Sequence, residues 1–485
     1  MKRTITILLL ASLLLSACGS AEVETESTST SDITATVTET ETELTDGLPD
    51  TDMAGFTMSM LHFDESWLSW AETQMDAEEE TGDRLNDAIY QRNMRIEDRF
   101  NAKLDIQAQN MVSNDNIKSA AMAGDTTYDV WFCYDLWVFY SGDCLLSWEN
   151  MPYIKLDAEW WNPMATSVFN VGGKTYAAAG NYSLSVLSRA SGFVFNKDMY
   201  TNLGSDIDLY GSVEEGTWTL DKMHTLCEMA TRDLNGDGTL DDKDQFGVGG
   251  SWKETFWRFI EGSGIKMVST GEDGYPVFDL VQNENAVNKM MHIFDLFGNN
   301  KLYFNMQNTN KDNASTGEAT FKNGKLLFDV TPFYSLESMR DYDMEIGILP
   351  CPKYDEEQSS YYSPSFGAEI SILLKTLPDD RKENVGMLLE AMAFDTNKYL
   401  IPEYKEVLLK TKYSRDEESA VSVDIIIDTI CFDFGINAWQ QVVGGPIIDQ
   451  IYMAGNNNVV STLTKLQNPV DNEIMNLKKL LGDAE

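Results

Sequence analysis

Phe56-Thr57-Met58-Ser59-Met60-Leu61-His62-Phe63 reads as a strand, and the run of elements it opens decides the fold. Leu85, Ile89, Ile96 and Phe100 fall near one face of a helix. Residues 104–108 alternate like a second strand. Asp115 or Asn116 can cap a short helix running to Ala123. Tyr128-Asp129-Val130-Trp131-Phe132 is a candidate buried strand. Strand, helix, strand, helix, strand is the order of a parallel sheet covered by helices, so an α/β fold is expected. Further helices are expected over 221–231, 283–297, 381–394, 446–453 and 470–481.

Upstream, residues 18–55 are dominated by Thr, Ser, Glu and Asp, and no Lys or Arg occurs between Arg3 and Arg84. Such a segment buries too little surface to offset its ordering entropy, and its like charges extend it. It reads as a disordered stalk with a span of about 30–35 Å. Before it, Lys2 and Arg3 precede an apolar run from Ile5 to Leu15. That run is shorter than the roughly 20 residues a spanning helix needs, and 1–17 has the three-part form of a secretion signal. Leu15-Ser16-Ala17-Cys18-Gly19 resembles a bacterial lipobox. This likeness implies cleavage before Cys18, a diacylglycerol on its thiol, and anchorage on the outer face of the bacterial cytoplasmic membrane. An ordinary secretion signal with a chance cysteine is the plainer alternative.

The 485 residues carry 78 acidic against 36 basic side chains, a net charge of -42. That balance excludes nucleic acid as a partner and excludes adhesion to anionic lipid through basic patches. A hydrophobic share of 43%, with 11% aromatics, is enough for a real core, and the length calls for two lobes or more. With Cys18 acylated, Cys133, Cys144, Cys227, Cys351 and Cys431 remain, an odd and irregularly spaced set. They read as small buried hydrophobes, with a Cys133–Cys144 bridge as the lesser alternative.

Residues 233–244, Asp-Leu-Asn-Gly-Asp-Gly-Thr-Leu-Asp-Asp-Lys-Asp, fit a twelve-residue calcium loop. Asp233, Asn235 and Asp237 offer side-chain oxygens at positions 1, 3 and 5, and Gly238 at position 6 permits the sharp turn. Thr239 offers its carbonyl at position 7. Asp241 stands at position 9 and Asp244 closes the loop. Position 12 is ordinarily Glu, and the shorter Asp makes bidentate binding less secure. A structural calcium clip is expected, with an Asp/Gly surface turn as the alternative.

No catalytic signature appears. His62, His224 and His292 are scattered, and there is no H-E-x-x-H, G-x-S-x-G, P-loop or dinucleotide fingerprint. The aromatics say more. Tyr134-Asp135-Leu136-Trp137, Trp252-Lys253-Glu254-Thr255-Phe256-Trp257 and Asn437-Ala438-Trp439 set flat rings beside polar groups. Rings can cover the C–H faces of a sugar while carboxylates and amides bond its hydroxyls. For any single Trp, core packing is the simpler reading, and most of all for Trp160-Trp161.

The order of these landmarks resembles the family 1 extracellular solute-binding proteins of ABC transporters, the sugar-binding type. The likeness runs from about Phe56 onward. It rests on Tyr128-Asp129-Val130, Gly172-Gly173-Lys174-Thr175-Tyr176 and Phe195-Asn196-Lys197. It continues through Gly216-Thr217-Trp218-Thr219-Leu220-Asp221-Lys222-Met223, Phe321-Lys322-Asn323-Gly324-Lys325, Ile348-Leu349-Pro350 and the segment from Lys412 to Ser419. The resemblance implies two α/β lobes, 56–179 plus 320–365 and 180–319 plus 366–485, with crossovers near 177–192 and 362–372. It implies ligand contacts at Tyr134, Asp135 and Trp137 in lobe one and at Trp252, Glu254 and Trp257 in lobe two, with Trp439 a looser match. It further implies a monomer that closes on a sugar or oligosaccharide and delivers it to an ABC permease, without catalysis. A cell-surface glycoside hydrolase and a calcium-binding adhesion or scaffold protein are the rival readings.

Overall fold

The computed structural model describes residues 44–63, 75–109, 114–250, 253–298, 302–304, 317–336, 338–409 and 417–482. The chain divides into two units, Met1–Thr45 and Asp46–Glu485, and the sheets and helices belong to the second. The signal segment, Cys18 and most of the expected stalk lie outside the described residues.

The opening pattern is present as β1 (Phe56–Phe63), α1 (Arg84–Phe100), β2 (Ala102–Gln109), α2 (Asn114–Ala123) and β3 (Val130–Tyr134). The carboxylate of Asp83 accepts the N–H groups of Leu85 and Asn86 and so starts α1. Asn101, in the left-handed region at φ 45°, ends it. The expected stripe Leu85, Ile89, Ile96 and Phe100 is buried. β1 lies between β2 and β3 and parallel to both. Glu369–Leu374 then pairs antiparallel with β3, and Leu145–Leu146 and Ala177–Ala178 pair with Glu369–Leu374. A second sheet runs in the order Tyr303–Phe304, Phe246–Gly249, Leu326–Pro332, Ser191–Asn196, Ile346–Leu349. Its apolar strands are buried along their length, as befits a sheet covered on both faces.

The lobe boundaries differ from the sequence expectation, which puts 320–365 in lobe one and 366–485 in lobe two. Leu326–Pro332 and Ile346–Leu349 instead flank Ser191–Asn196 in the second sheet, while Glu369–Leu374 returns to the first. Helices Lys382–Asp395 and Ile401–Leu409 pack on α1 in lobe one, and Glu417–Asp428 packs on Ile346–Leu349 in lobe two. These strands are buried on both faces, polar positions included, so nothing in their own residues selects the sheet they join. The chain therefore passes between lobes through 179–190 and 350–368. The two passages meet in a bridge between Ala190 and Ser365.

The ordered chain also starts earlier than Phe56. Met53 is buried and donates its N–H to the Phe100 carbonyl at 2.8 Å, and the Asp46 carboxylate pairs with Arg99. The last helix runs over Val459–Leu481, through Pro469, because a buried stripe of Val459, Leu463, Leu466, Val470 and Leu477 outweighs the break a proline invites. Cys133, Cys144, Cys227, Cys351 and Cys431 are all unpaired and buried. Trp160 and Trp161 are core residues whose indole N–H groups donate to Glu390 at 3.0 and 2.7 Å.

Candidate functional site between the lobes

Tyr134 ends β3 opposite Glu369, the first residue of Glu369–Leu374, and Asp135 follows it. Tyr334 follows the end of Leu326–Pro332, and Glu254 opens the helix after Phe246–Gly249. Strand ends of both sheets thus deliver side chains to one junction, where α/β folds place ligands. The first passage contributes Arg189 and the second Phe366 and Gly367.

Asp135 fixes the junction. Its carboxylate accepts the N–H of Gly367 at 3.0 Å, the N–H of Leu136 at 2.8 Å and the amide of Asn437 at 2.8 Å. One buried side chain thereby ties lobe one to a passage segment and to the C-terminal region. Burial pushes its pKa up to about 7, with the hydrogen bonds from Asn437 and Gly367 and the charge of Arg189 opposing that rise. Arg189 is buried, donates to the Phe366 carbonyl at 3.3 Å and lies 5.2 Å from the centre of the Tyr334 ring. Burial lowers its pKa, while Tyr134, Tyr334, Asp135 and Glu254 hold the charge in place. Burial raises Glu254, against the opposing charges of Arg258 and Arg189.

Tyr134, Glu254, Tyr334 and Phe366 keep part of their surface open to solvent. They form a wall of three aromatic rings and one carboxylate around a guanidinium. Such a wall offers apolar faces and both hydrogen-bonding senses to a polar solute with C–H faces.

Of the residues expected at the ligand, the fold brings together Tyr134, Asp135, Glu254 and Trp257. Asp135 and Trp257 stand behind the wall. Trp257 is fully buried, packs against Phe366 with ring centres 4.8 Å apart, and donates its indole N–H to the Gly444 carbonyl. Trp439 is not part of the wall; it is buried against Phe434 and beside Phe139 and Leu477 under the last helix. Trp252 and the side chain of Trp137 lie outside the described residues. Arg189, Tyr334 and Phe366 were not expected from the sequence. Arg189 had a signal: it is the only charged residue between Lys174 and Lys197, in a segment expected to cross between lobes.

The calcium-type loop lies away from this wall. Asp233, at its first position, accepts the N–H groups of Gly236 and Gly238 at 2.6 and 2.8 Å. Asp244, at its last, is buried and accepts those of Leu234 and Asp241 at 2.9 and 2.8 Å. Asp233, Asn235, Asp237 and Thr239 are exposed. Among the described residues, no group of three or more His, Cys, Asp or Glu side chains is arranged to hold a metal ion. Nor, among them, is any helix long and apolar enough to cross a membrane.

No protein-family model matches the chain, and no curated protein does. Solved structures do. M. tuberculosis UspC superposes with a TM-score of 0.54 at 14% identity, over 85% of this chain and 98% of its own. An ABC substrate-binding protein of Listeria monocytogenes, in complex with cycloalternan, gives 0.49 at 12% identity over 88% and 99%. The maltose/maltodextrin-binding domain MalE of Bdellovibrio bacteriovorus, bound to maltotriose, gives 0.47 at 14% identity over 86% and 99%. At these identities the likeness is one of fold. The fold is the two-lobed α/β architecture that the resemblance to solute-binding proteins implies.

Proposed function

We propose that this chain is the lipid-anchored solute-binding component of an ABC importer. It captures a sugar or oligosaccharide between its lobes and hands it to a membrane permease. The observation that carries this reading is the convergence of Tyr134, Tyr334, Phe366, Arg189 and Glu254 from strand ends of both lobes and from the passages between them. A ligand touching both lobes favours the closed arrangement, and that difference is what a permease can read. Trp137 and Trp252, sequence neighbours of Asp135 and Glu254, complete the proposed contact set. Cys18 would hold the receptor at the membrane.

Calorimetry of the chain against a glycan panel, with product analysis of the same samples, tests this. Saturable heat without turnover is expected. Cleavage of any glycan would make the chain a glycoside hydrolase instead.

For loop 233–244 we propose a structural calcium clip held by Asp233, Asn235, Asp237, Thr239, Asp241 and Asp244. The exposed oxygens at positions 1, 3 and 5 support it. Calcium must compete there with the loop's own hydrogen bonds, which suits a weak site. Chelation is expected to lower the melting temperature of the wild type and to leave Asp237→Asn unmoved. An identical melting curve with and without chelator removes the clip.

A further inference from the structure

A second cavity, of about 210 Å³, opens at the other end of the helix Glu254–Gly262. Its walls come from both lobes: Val168 and Val171 on one side, Ile265 and Val268 on the other, with Tyr362 and Phe434 between them. Glu254 and Glu261 are two turns apart on that helix, roughly 10 Å along its axis, so this cavity is not the wall around Arg189.

Glu261 lines the cavity and is 4% exposed. Among the described residues, neither of its carboxylate oxygens accepts a hydrogen bond. Its ion-pair partner, Arg258, stands 3.7 Å away, beyond hydrogen-bond length. Asp433 adds a second carboxylate to the lining, already committed to the N–H groups of Met267, Gly435 and Ile436. The one lysine of the lining, Lys266, is exposed at the rim, where water screens it. The helix also presents its C-terminal, electronegative end here. The two carboxylates and the helix end favour a cation inside the cavity, against the guanidinium of Arg258, and Val168, Val171, Ile265 and Val268 give part of the lining an apolar surface.

We propose that this cavity is a second binding site, for a small apolar primary amine bound as its ammonium ion. The ammonium carries donors for both oxygens of Glu261, which Arg258 faces without a hydrogen bond, and favours the ionised form of a carboxyl that burial pushes toward the neutral one. Its hydrocarbon body covers Val168, Val171, Ile265 and Val268 and meets the rings of Tyr362 and Phe434. An anion would face Glu261 and Asp433. A neutral alcohol would donate to one oxygen only and bring no charge to face Glu261 and Asp433.

Benzylamine and benzyl alcohol, titrated into the full chain by calorimetry, separate these cases. Benzylamine is expected to bind saturably and about tenfold or more tighter than benzyl alcohol, and Glu261→Gln should lose about that factor for the amine alone. Val168→Trp, at the cavity wall, should block both ligands while leaving Glu261 in place. Equal affinity for the two ligands, amine binding that survives either substitution, or no saturable heat with benzylamine overturns the proposal. Displacement of the amine by a glycan that fills the interlobe wall overturns it as well.

Discussion

Gly367 holds a position no other residue fits. Its φ is +75°, and a Cβ there would stand 2.5 Å from the Tyr134 hydroxyl and 2.9 Å from a guanidinium nitrogen of Arg189. Gly367→Ala should therefore displace the wall itself. A loss of ligand affinity of about tenfold or more is expected, and calorimetry against a glycan that binds the wild type would read it. Unchanged affinity would take Tyr134 and Arg189 out of the binding wall. Two residues on, buried Glu369 accepts the Phe63 N–H at 2.5 Å with one oxygen, and burial raises its pKa to about 8. An acid whose folded value lies above its unfolded value, about 4.3, destabilises the fold progressively as pH rises through that interval. Glu369→Gln keeps the acceptor and removes the titration. The variant's advantage over the wild type should be small at pH 5 and grow by about 2–4 kcal/mol at pH 8, measured by urea unfolding. An advantage that does not change with pH would show that Glu369 titrates normally. Both residues were silent in the sequence. A glycine beside Phe366 and a Glu opening a buried strand acquire meaning only from partners far away in the sequence, such as Asp135 and Phe63.

Periodicity makes an amphipathic helix legible, whereas Lys382–Asp395 is buried on every side and shows only as a long, mostly apolar run. The expected helix over 221–231 stands at Leu220–Ala230, and that over 381–394 at Lys382–Asp395. Wider turns were not legible: the helix expected to reach 297 ends at Ile293 and continues as a π turn over Phe294–Gly298. Pro469 shows the opposite failure. The helix expected over 470–481 begins at Val459 and runs through it. Pro469 is exposed, has no N–H to give the carbonyl four residues earlier, and contributes nothing to the buried stripe. Pro469→Ala should thus stabilise the protein, by about 1–3 kcal/mol in urea unfolding. Leu463→Ala, on the buried stripe of the same helix, should cost about 2–5 kcal/mol. A destabilised Pro469→Ala would mean that the proline sets a bend the helix needs to reach its contacts on both lobes, at Phe278 and at Gly142.

For the molecule as a whole, the two-lobed class was legible and the ownership of the return strands was not. Leu326–Pro332, Ile346–Leu349 and Glu369–Leu374 are all strands buried on both faces, sorted between two sheets by pairing alone. The start of the folded body was misplaced for a different reason. Composition averages over a window, and the acidic stretch before Phe56 hides two anchors in stalk-like surroundings. Met53 fills the core beside Phe100, and Gly55 donates its N–H to the Asn101 carbonyl at 2.7 Å. Asp46 pairs with Arg99 through its carboxylate and accepts the Lys155 ammonium through its carbonyl. Truncation separates the two boundaries. A chain starting at Asp46 should melt at the temperature of the chain starting at Cys18, because nothing upstream of Asp46 belongs to the compact unit. A chain starting at Phe56 loses a buried methionine and leaves Arg99 and Lys155 without these partners, so it should be less stable by about 2–4 kcal/mol. Equal stability of all three would return 46–55 to the stalk and leave Asp46 and Met53 as incidental contacts.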